Sequence, residues 1–186
     1  MPTSPPTHPN EALLTRLFTA LGRKDHATMA SCYHVHAEFR DIAFHRKGRK
    51  EIHEMWRMIC HGDIEVKFMV VAADDRAGRV KLIDRYTFHP LEDPPGSGPP
   101  PGSLVVNAIE SRFEFEGGKI RRQNDYCDAK DWARQALGGG IKSFLAGRIR
   151  FLRSPTATAK LERFLKDERK SSKQQAGPSL VPTGGR

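Results

Sequence analysis

Apolar residues recur along this chain in two rhythms, and the change from one to the other divides it. Leu13, Leu14, Leu17, Phe18 and Leu21 fall at helical spacing behind Asn10, a suitable N-cap, so a helix is predicted over residues 10–21, ended by Gly22. Asp25 then caps a short predicted helix, His26–Tyr33, with Met29 and Ala30 facing inward. Glu38-Phe39-Arg40-Asp41 reads as a short strand running into a loop, and Ile52, Met55, Trp56 and Ile59 form one stripe of a helix from Lys50 to about Cys60.

After Gly62 the period shortens. Residues 64–74, 79–89, 104–116 and 119–127 are β-rich runs, and Asp75-Arg76-Ala77-Gly78 and Gly117-Gly118 supply hairpin turns between them. Pro90–Ser103 is too rich in proline and glycine for strand or helix and predicts a long hairpin loop. Asp128–Leu137 returns to helical spacing. Three helices, a four-strand antiparallel meander and a further helix make an α+β pattern, not a doubly wound one.

Beyond Gly138-Gly139-Gly140, Ile141, Phe144, Leu145, Ile149 and Leu152 line an apolar stripe, and Leu161, Phe164 and Leu165 mark a second short amphipathic segment. The expected organisation is a disordered stretch 1–9, a pocket domain 10–138, a basic amphipathic helical extension 139–170 and a disordered, Ser/Gln/Gly/Pro-rich tail 171–186.

Charge follows that division. The formal net charge is +9, yet residues 141–186 hold 11 Lys/Arg against 3 acids, which leaves the rest of the chain near neutrality. Basic and aromatic residues do not interleave on any strand, so nucleic acid is not an expected partner. Packing of the extension on the domain or on a second subunit is favoured over docking of residues 141–170 on a membrane surface. No apolar run is long enough to span a bilayer, and residues 1–9 lack the basic and apolar regions of a secretory signal. Cys32, Cys60 and Cys127 are widely separated and odd in number, which fits reduced thiols in a cytoplasm.

Three stretches carry a family resemblance: Leu13–Asp25; Glu38-Phe39-Arg40-Asp41 followed by Gly48-Arg49-Lys50-Glu51-Ile52; and Gly118-Lys119-Ile120 followed by Asp125-Tyr126-Cys127-Asp128. Their order and spacing over residues 11–138 resemble the nuclear transport factor two-like, or SnoaL-like, superfamily, with its ketosteroid isomerases, polyketide cyclases and limonene epoxide hydrolases. The resemblance implies a cystatin-like α+β roll: a curved antiparallel sheet wrapping helices into a cone-shaped, apolar pocket, often dimeric through the other sheet face. Fold alone does not choose a reaction, because the scaffold hosts enzymes and non-enzymes alike.

On that resemblance Asp41 stands where the isomerases place their proton-moving carboxylate, and Asp125 where the epoxide hydrolases activate water. Arg85 falls at the hydrolases' bridging arginine, able to orient substrate or hold Asp125 ionised. Alternation puts Gln123, Asp125 and Cys127 on one face of the last strand. A carboxylate at the mouth of an apolar pocket is poorly solvated and rises toward a useful pKa. The competing structural readings are a turn-capping Asp41 and an Arg85–Asp125 ion pair; the alternation of Val80, Leu82, Tyr86 and Phe88 also competes with Arg85 for the inner face, unless a bulge intervenes.

Phe39, Trp56, Tyr86, Thr87, Ser111 and Gln123 are the candidate substrate-binding residues. Four of these depart from the family pattern: Thr87 replaces a second acid, Phe39 a tyrosine, Ser111 a carboxylic acid and Gln123 a histidine, while Leu17 replaces the isomerases' oxyanion tyrosine. Cys127 has no histidine partner in view. His34-Val35-His36 has chelate spacing but no third ligand, so neither a metal nor a cofactor is expected. The expected function is cofactor-independent acid/base chemistry of isomerase, cyclase or hydrolase type on a small apolar metabolite; the alternative is a non-catalytic ligand-binding or dimerisation module.

Overall fold

The structure is a computed structural model that describes residues 8–89, 101–137 and 155–175. Helix α1 (Pro9–Gly22) has its cap two residues earlier than the expected Asn10. His8 is its cap, accepting from the Asn10 amide, and Pro9 sits in the first turn where a missing N–H costs nothing. Asn10 is instead buried inside the helix, its Nδ2 donating to the Asp74 carbonyl at 2.8 Å. Helix α2 (His26–Ser31) is capped by Asp25, which accepts from the Thr28 amide at 2.9 Å. It stops short of Tyr33, which opens strand β1 (Tyr33–Arg40).

A two-stranded corner follows, β1 against β2 (His45–Lys47), and leads through Gly48 into α3 (Arg49–His61). Gly48 has φ of 83°, a left-handed conformation that glycine adopts without a Cβ clash. Strands β3 (Glu65–Ala73), β4 (Ala77–Phe88), β5 (Ser103–Glu116) and β6 (Lys119–Tyr126) form the expected meander. Gly117 and Gly118, at φ of 57° and 67°, make the β5–β6 turn.

The sheet has six strands in the order β2-β1-β6-β5-β4-β3, two more than the meander alone. Strand β1 lies parallel to β6, so the sheet is mixed rather than purely antiparallel. That pairing sets Phe39 beside Gln123 and carries the chain at Asp41 toward the end of β6. Register shifts in β1, β3 and β5 supply the irregularities that bend a sheet.

Helices α1 and α3 fill the concave side. Leu14, Leu17, Phe18 and Leu21 of α1 and Ile52, Met55 and Trp56 of α3 are buried against Val80, Leu82, Phe113 and Ile120 of the sheet. Phe18 meets Phe113 edge-on at 6.1 Å and Phe68 at 5.4 Å. Leu17 is therefore a core residue, with no exposed surface.

Helix α4 (Ala129–Leu137) packs across the far end of β5, where Trp132, Ala133 and Ala136 form a second buried cluster with Val105, Tyr86 and Phe88. Gln135 binds both the amide and the carbonyl of Val106, capping the β5 edge beyond the end of β6. Helix α5 (Pro155–Gln175) is one continuous helix of 21 residues, and it runs into the segment expected to be a disordered tail. Leu161 is buried against the core cluster, Arg57 pairs with Glu168, and Phe164 lies 5.5 Å from the His61 ring. The apolar stripe at 141–152 and most of the loop at 90–103 lie outside the described residues. Among the described residues no helix is long and apolar enough to cross a membrane.

Candidate active site

The inner face of the sheet is set by alternation without interruption through β4 and the facing part of β5. Val80, Leu82 and Asp84 of β4 are buried, and Lys81, Ile83 and Arg85 between them are exposed. No bulge breaks the β4–β5 register from Ala77–Glu114 to Phe88–Ser103. Asp84 thus faces Asn107, Tyr86 faces Val105 and Val80 faces Ser111, which in turn faces Asp125 on β6.

Three carboxylates, Asp41, Asp84 and Asp125, lie on this inner side near enough to influence one another, where the sequence pointed to two. Each is raised in pKa, by burial first. Asp41 reaches about 7, where loss of solvation outweighs the Phe44 amide bond, and repulsion from Asp125 and Asp84 adds to the rise. Asp84 reaches about 6, with burial opposed by Asn107 and aided by Asp125. Asp125 reaches about 6, burial outweighing the Ser111 and Gln123 hydrogen-bonding groups.

The three are held differently. Asp41 Oδ1 accepts from the amides of Ala43 (2.7 Å) and Phe44, closing the turn between β1 and β2. The turn-capping alternative is therefore real, and it occupies one carboxylate oxygen. Asp125 ends a directed chain: Trp56 Nε1 donates to Tyr33 Oη at 3.1 Å, and Tyr33 Oη donates to Gln123 Oε1 at 2.5 Å. Gln123 Nε2 then donates to both Asp125 oxygens at 3.0 and 3.1 Å. Tyr33 and Gln123 are almost wholly enclosed, so each hydroxyl or amide orientation is fixed by the next.

Asp84 Oδ1 and Ser111 Oγ are buried with no hydrogen-bond partner among the described residues. Ser111 nonetheless lies near enough to Asp125 to favour its ionised form. Tyr86 Oη accepts from Trp132 Nε1 at 2.7 Å, and burial raises its pKa far above the ordinary value. Burial and the surrounding carboxylates push the Cys127 thiol up to about 12, which keeps it protonated and disfavours nucleophilic attack.

Arg85 does not join this cluster. It is exposed and reaches Glu65 at 3.4 Å on the outer face, so neither an Arg85–Asp125 pair nor an Arg85-oriented substrate matches its position. Thr87 also points outward, its amide and hydroxyl binding the Asp63 carboxylate at 2.9 and 2.5 Å. Phe39, Trp56, Ser111 and Gln123 are buried on the inner side, and Tyr86 stands beside Asp84 and Asp41. Asp84, Asn107, Tyr33 and Trp132 were missed. The signal for Asp84 was present: an Asp in series with Val80, Leu82, Tyr86 and Phe88 must share their face. Among the described residues no group of three His, Cys, Asp or Glu side chains is arranged to hold a metal ion.

The SnoaL-like domain profile matches residues 14–123, more than half of the chain. The chain belongs to the SnoaL-like family. Its fold is similar to that of a provisionally assigned polyketide cyclase from Silicibacter sp. TM1040 (TM-score 0.58, 18% identity, covering 68% of this chain and 93% of that one). A second provisionally assigned polyketide cyclase, from Xanthomonas campestris pv. campestris, gives a TM-score of 0.59 at 16% identity, covering 68% and 96%. An epoxide hydrolase from M. tuberculosis of the limonene epoxide hydrolase type gives 0.51 at 18% identity, covering 69% and 89%. The search of curated proteins returned no match. At these identities the likeness is one of fold, and the SnoaL-like chain's own side chains must carry any reading of its chemistry.

Proposed function

We propose that this SnoaL-like protein is a cofactor-independent acid/base enzyme acting on a small, largely apolar metabolite, with Asp41, Asp84 and Asp125 as its proton-handling groups. One observation carries this reading: three carboxylic acids on one inner face, all raised to about 6–7 and each with a different set of neighbours. Groups that titrate near neutrality can both give and take a proton at working pH. Partial exposure of Asp41 and Asp125, combined with heavy loss of solvation, supports a recess lined by these acids and by Phe39, Trp56 and Tyr86. Isomerisation or cyclisation, with proton transfer at carbon, suits the set better than epoxide opening, because the bridging arginine faces outward.

The roles follow from the neighbours. Asp125, held by Gln123 on both oxygens, is the better ordered and serves as base. Asp41 has its highest pKa with one oxygen committed to the turn, and its other oxygen is suited to return the proton as acid. Asp84 tunes both by repulsion. A thermal-shift screen of terpenoid, steroid and polyketide-like compounds finds a ligand, and turnover is then compared for Asp41→Asn and Asp125→Asn. A large loss in either supports the reading; unchanged turnover in both sinks it.

The commitment of an Asp41 oxygen to the turn favours a second reading, a binding module of the same fold without catalysis. It expects a ligand that stabilises the protein and is recovered unaltered. The exposed apolar residues Met69, Ile83, Val106 and Tyr126 on the outer sheet face support a homodimer through that face, which sedimentation would test.

A further inference from the structure

A partly buried arginine on this chain usually ends on an acid. Arg40 reaches Glu38, Arg57 reaches Glu168, Arg121 reaches Glu116 and Arg122 reaches Glu114. Arg46 is partly buried too, yet it meets no acid and no hydrogen-bond acceptor among the described residues. Its Nε is enclosed without a partner there. A guanidinium in that condition has lost part of its water and gained no counter-charge.

Its position is a second observation. Arg46 stands directly opposite Phe39 on the β1–β2 ladder and shares the inner face with that buried ring, whereas the next pair, Arg40 and His45, takes the other face. One step further the Asp41 amide donates to the Phe44 carbonyl at 3.0 Å, and alternation returns Asp41 and Phe44 to the inner face. Asp41 and Arg46 are therefore diagonal neighbours, roughly 7–8 Å apart at the backbone. The Arg46 side chain leans toward that corner, with Cζ 5.4 Å from the centroid of the Phe44 ring. Because Nε is enclosed, the terminal nitrogens are the part of the guanidinium open to a ligand. A guanidinium fork laid on an apolar ring matches a carboxylate, which accepts two parallel N–H bonds.

We propose that Arg46 receives the carboxylate of a small, mostly apolar organic acid on its terminal nitrogens and so selects the metabolite that enters the recess beside Asp41. The inference deepens the acid/base reading by naming its ligand class, and rests on that reading's placement of the recess. The acids leave room for such an anion. Asp41 is the nearest, and burial holds it at about 7, so near pH 6 it is chiefly uncharged. Asp125 and Asp84 stand on β6 and β4, two and four strands from β2 in the sheet order.

The test is calorimetric titration of the full chain at about pH 6, below the Asp41 value, with cyclohexanecarboxylate and phenylacetate. Cyclohexanemethanol and 2-phenylethanol keep each skeleton without the charge, and acetate keeps the charge without the skeleton. Each carboxylate is expected to bind at least about tenfold more tightly than its alcohol and than acetate. Arg46→Gln should weaken the carboxylates at least about tenfold while barely changing the alcohols. Arg46→Lys, which keeps a charge and a long stem but loses the fork, should weaken them at least about threefold, and it decides the matter should the Gln variant fail to fold. Alcohols that bind as tightly as the carboxylates overturn the inference, as does binding of neither class or acetate as tight as cyclohexanecarboxylate. A carboxylate preference undiminished in either folded variant overturns it too. Carboxyl NMR titration checks the underlying reading separately. Acids that titrate near 6–7 with no carboxylate preference overturn this inference alone, whereas acids titrating at ordinary values overturn the acid/base assignment and leave Arg46-dependent binding standing.

Discussion

Asp84 and Arg85 are neighbours in sequence and opposites in circumstance. Asp84 lies on the inner face with one oxygen unpaired among the described residues, and burial raises its pKa to about 6. Arg85 lies on the outer face, in water, with a long contact to Glu65. One step along a strand moves a charge from a place where its solvation is lost to one where it is kept. Side, more than residue type, decides which charges on this sheet can do chemistry.

The strongest way to break that comparison is to put one charge on each side. Leu82→Asp adds an uncompensated acid to the inner face, where Leu82 is 6% exposed. A loss of roughly 3–5 kcal/mol is expected in urea unfolding, enough to leave little folded protein. Ile83→Asp, one residue on and 51% exposed, should change stability by no more than about 0.5 kcal/mol. If the outer face pairs two copies, the same variant sediments as a monomer while its thermal midpoint at low concentration is retained.

Stability against pH sharpens the contrast next. Acids with raised folded pKa values bind more protons in the native than in the unfolded state between their ordinary value of 3.8 and the raised values of about 6–7. Stability therefore falls as pH rises through that window, by on the order of a few kcal/mol for the cluster, and levels off above it. Asp25, Asp63 and Asp74 of the exposed surface have lowered values and act in the opposite sense, below about pH 4. His53, lowered mainly by burial, also opposes the fall, so urea midpoints are best compared in a His53→Gln background. Asp84→Asn and Asp125→Asn should each flatten the fall. A midpoint that rises steadily from pH 5 to pH 8 would show that the inner acids are solvated in the native state.

How much of this was legible in the sequence depends on the kind of signal. Helices α1 and α3 announced themselves by apolar period, and β3–β6 by alternation and turn glycines. The first half of strand β1 is hidden because His34-Val35-His36 has no apolar alternation, and Tyr33 reads as the end of the preceding helix. Its pairing with β6 is a long-range parallel contact that no local pattern encodes. Asp41 and Asp125 were reached through their resemblance to family positions. Asp84 is masked by Arg85, the better match to that resemblance, although alternation alone gives the right face. The Tyr33–Gln123–Asp125 chain spans 90 residues between Tyr33 and Gln123, so its existence could only come from the fold.

That chain yields a smaller test on the inner side alone. Tyr33→Phe removes the hydroxyl that accepts from Trp56 and donates to Gln123, leaving two buried groups unpaired. A cost of about 1–3 kcal/mol is expected, with Asp125 freer to move because Gln123 can turn. The readout that separates positioning from simple destabilisation is the Asp125 carboxyl titration in the folded variant. It should shift, and Gln123→Glu should shift it further upward by placing a fourth acid beside it.

The smallest effect belongs to Arg85, and it decides the comparison most cleanly. An arginine that bridged Asp125 would hold that acid well below its ordinary value, and its loss would raise the pKa by one or more units. In the arrangement here Arg85 is 54% exposed at its side chain and its partner Glu65 70% exposed, so water already screens the pair. Arg85→Ala should leave the Asp41, Asp84 and Asp125 titrations where they are, with stability changed by no more than about 0.5 kcal/mol. Asp84→Asn, one residue away, should lower the pKa of both remaining acids by removing a repelling neighbour. The two variants differ by a single step along β4, so a shift with Arg85→Ala and none with Asp84→Asn would mean that the strand's faces are reversed. It would restore the bridging arginine and with it the case for epoxide opening.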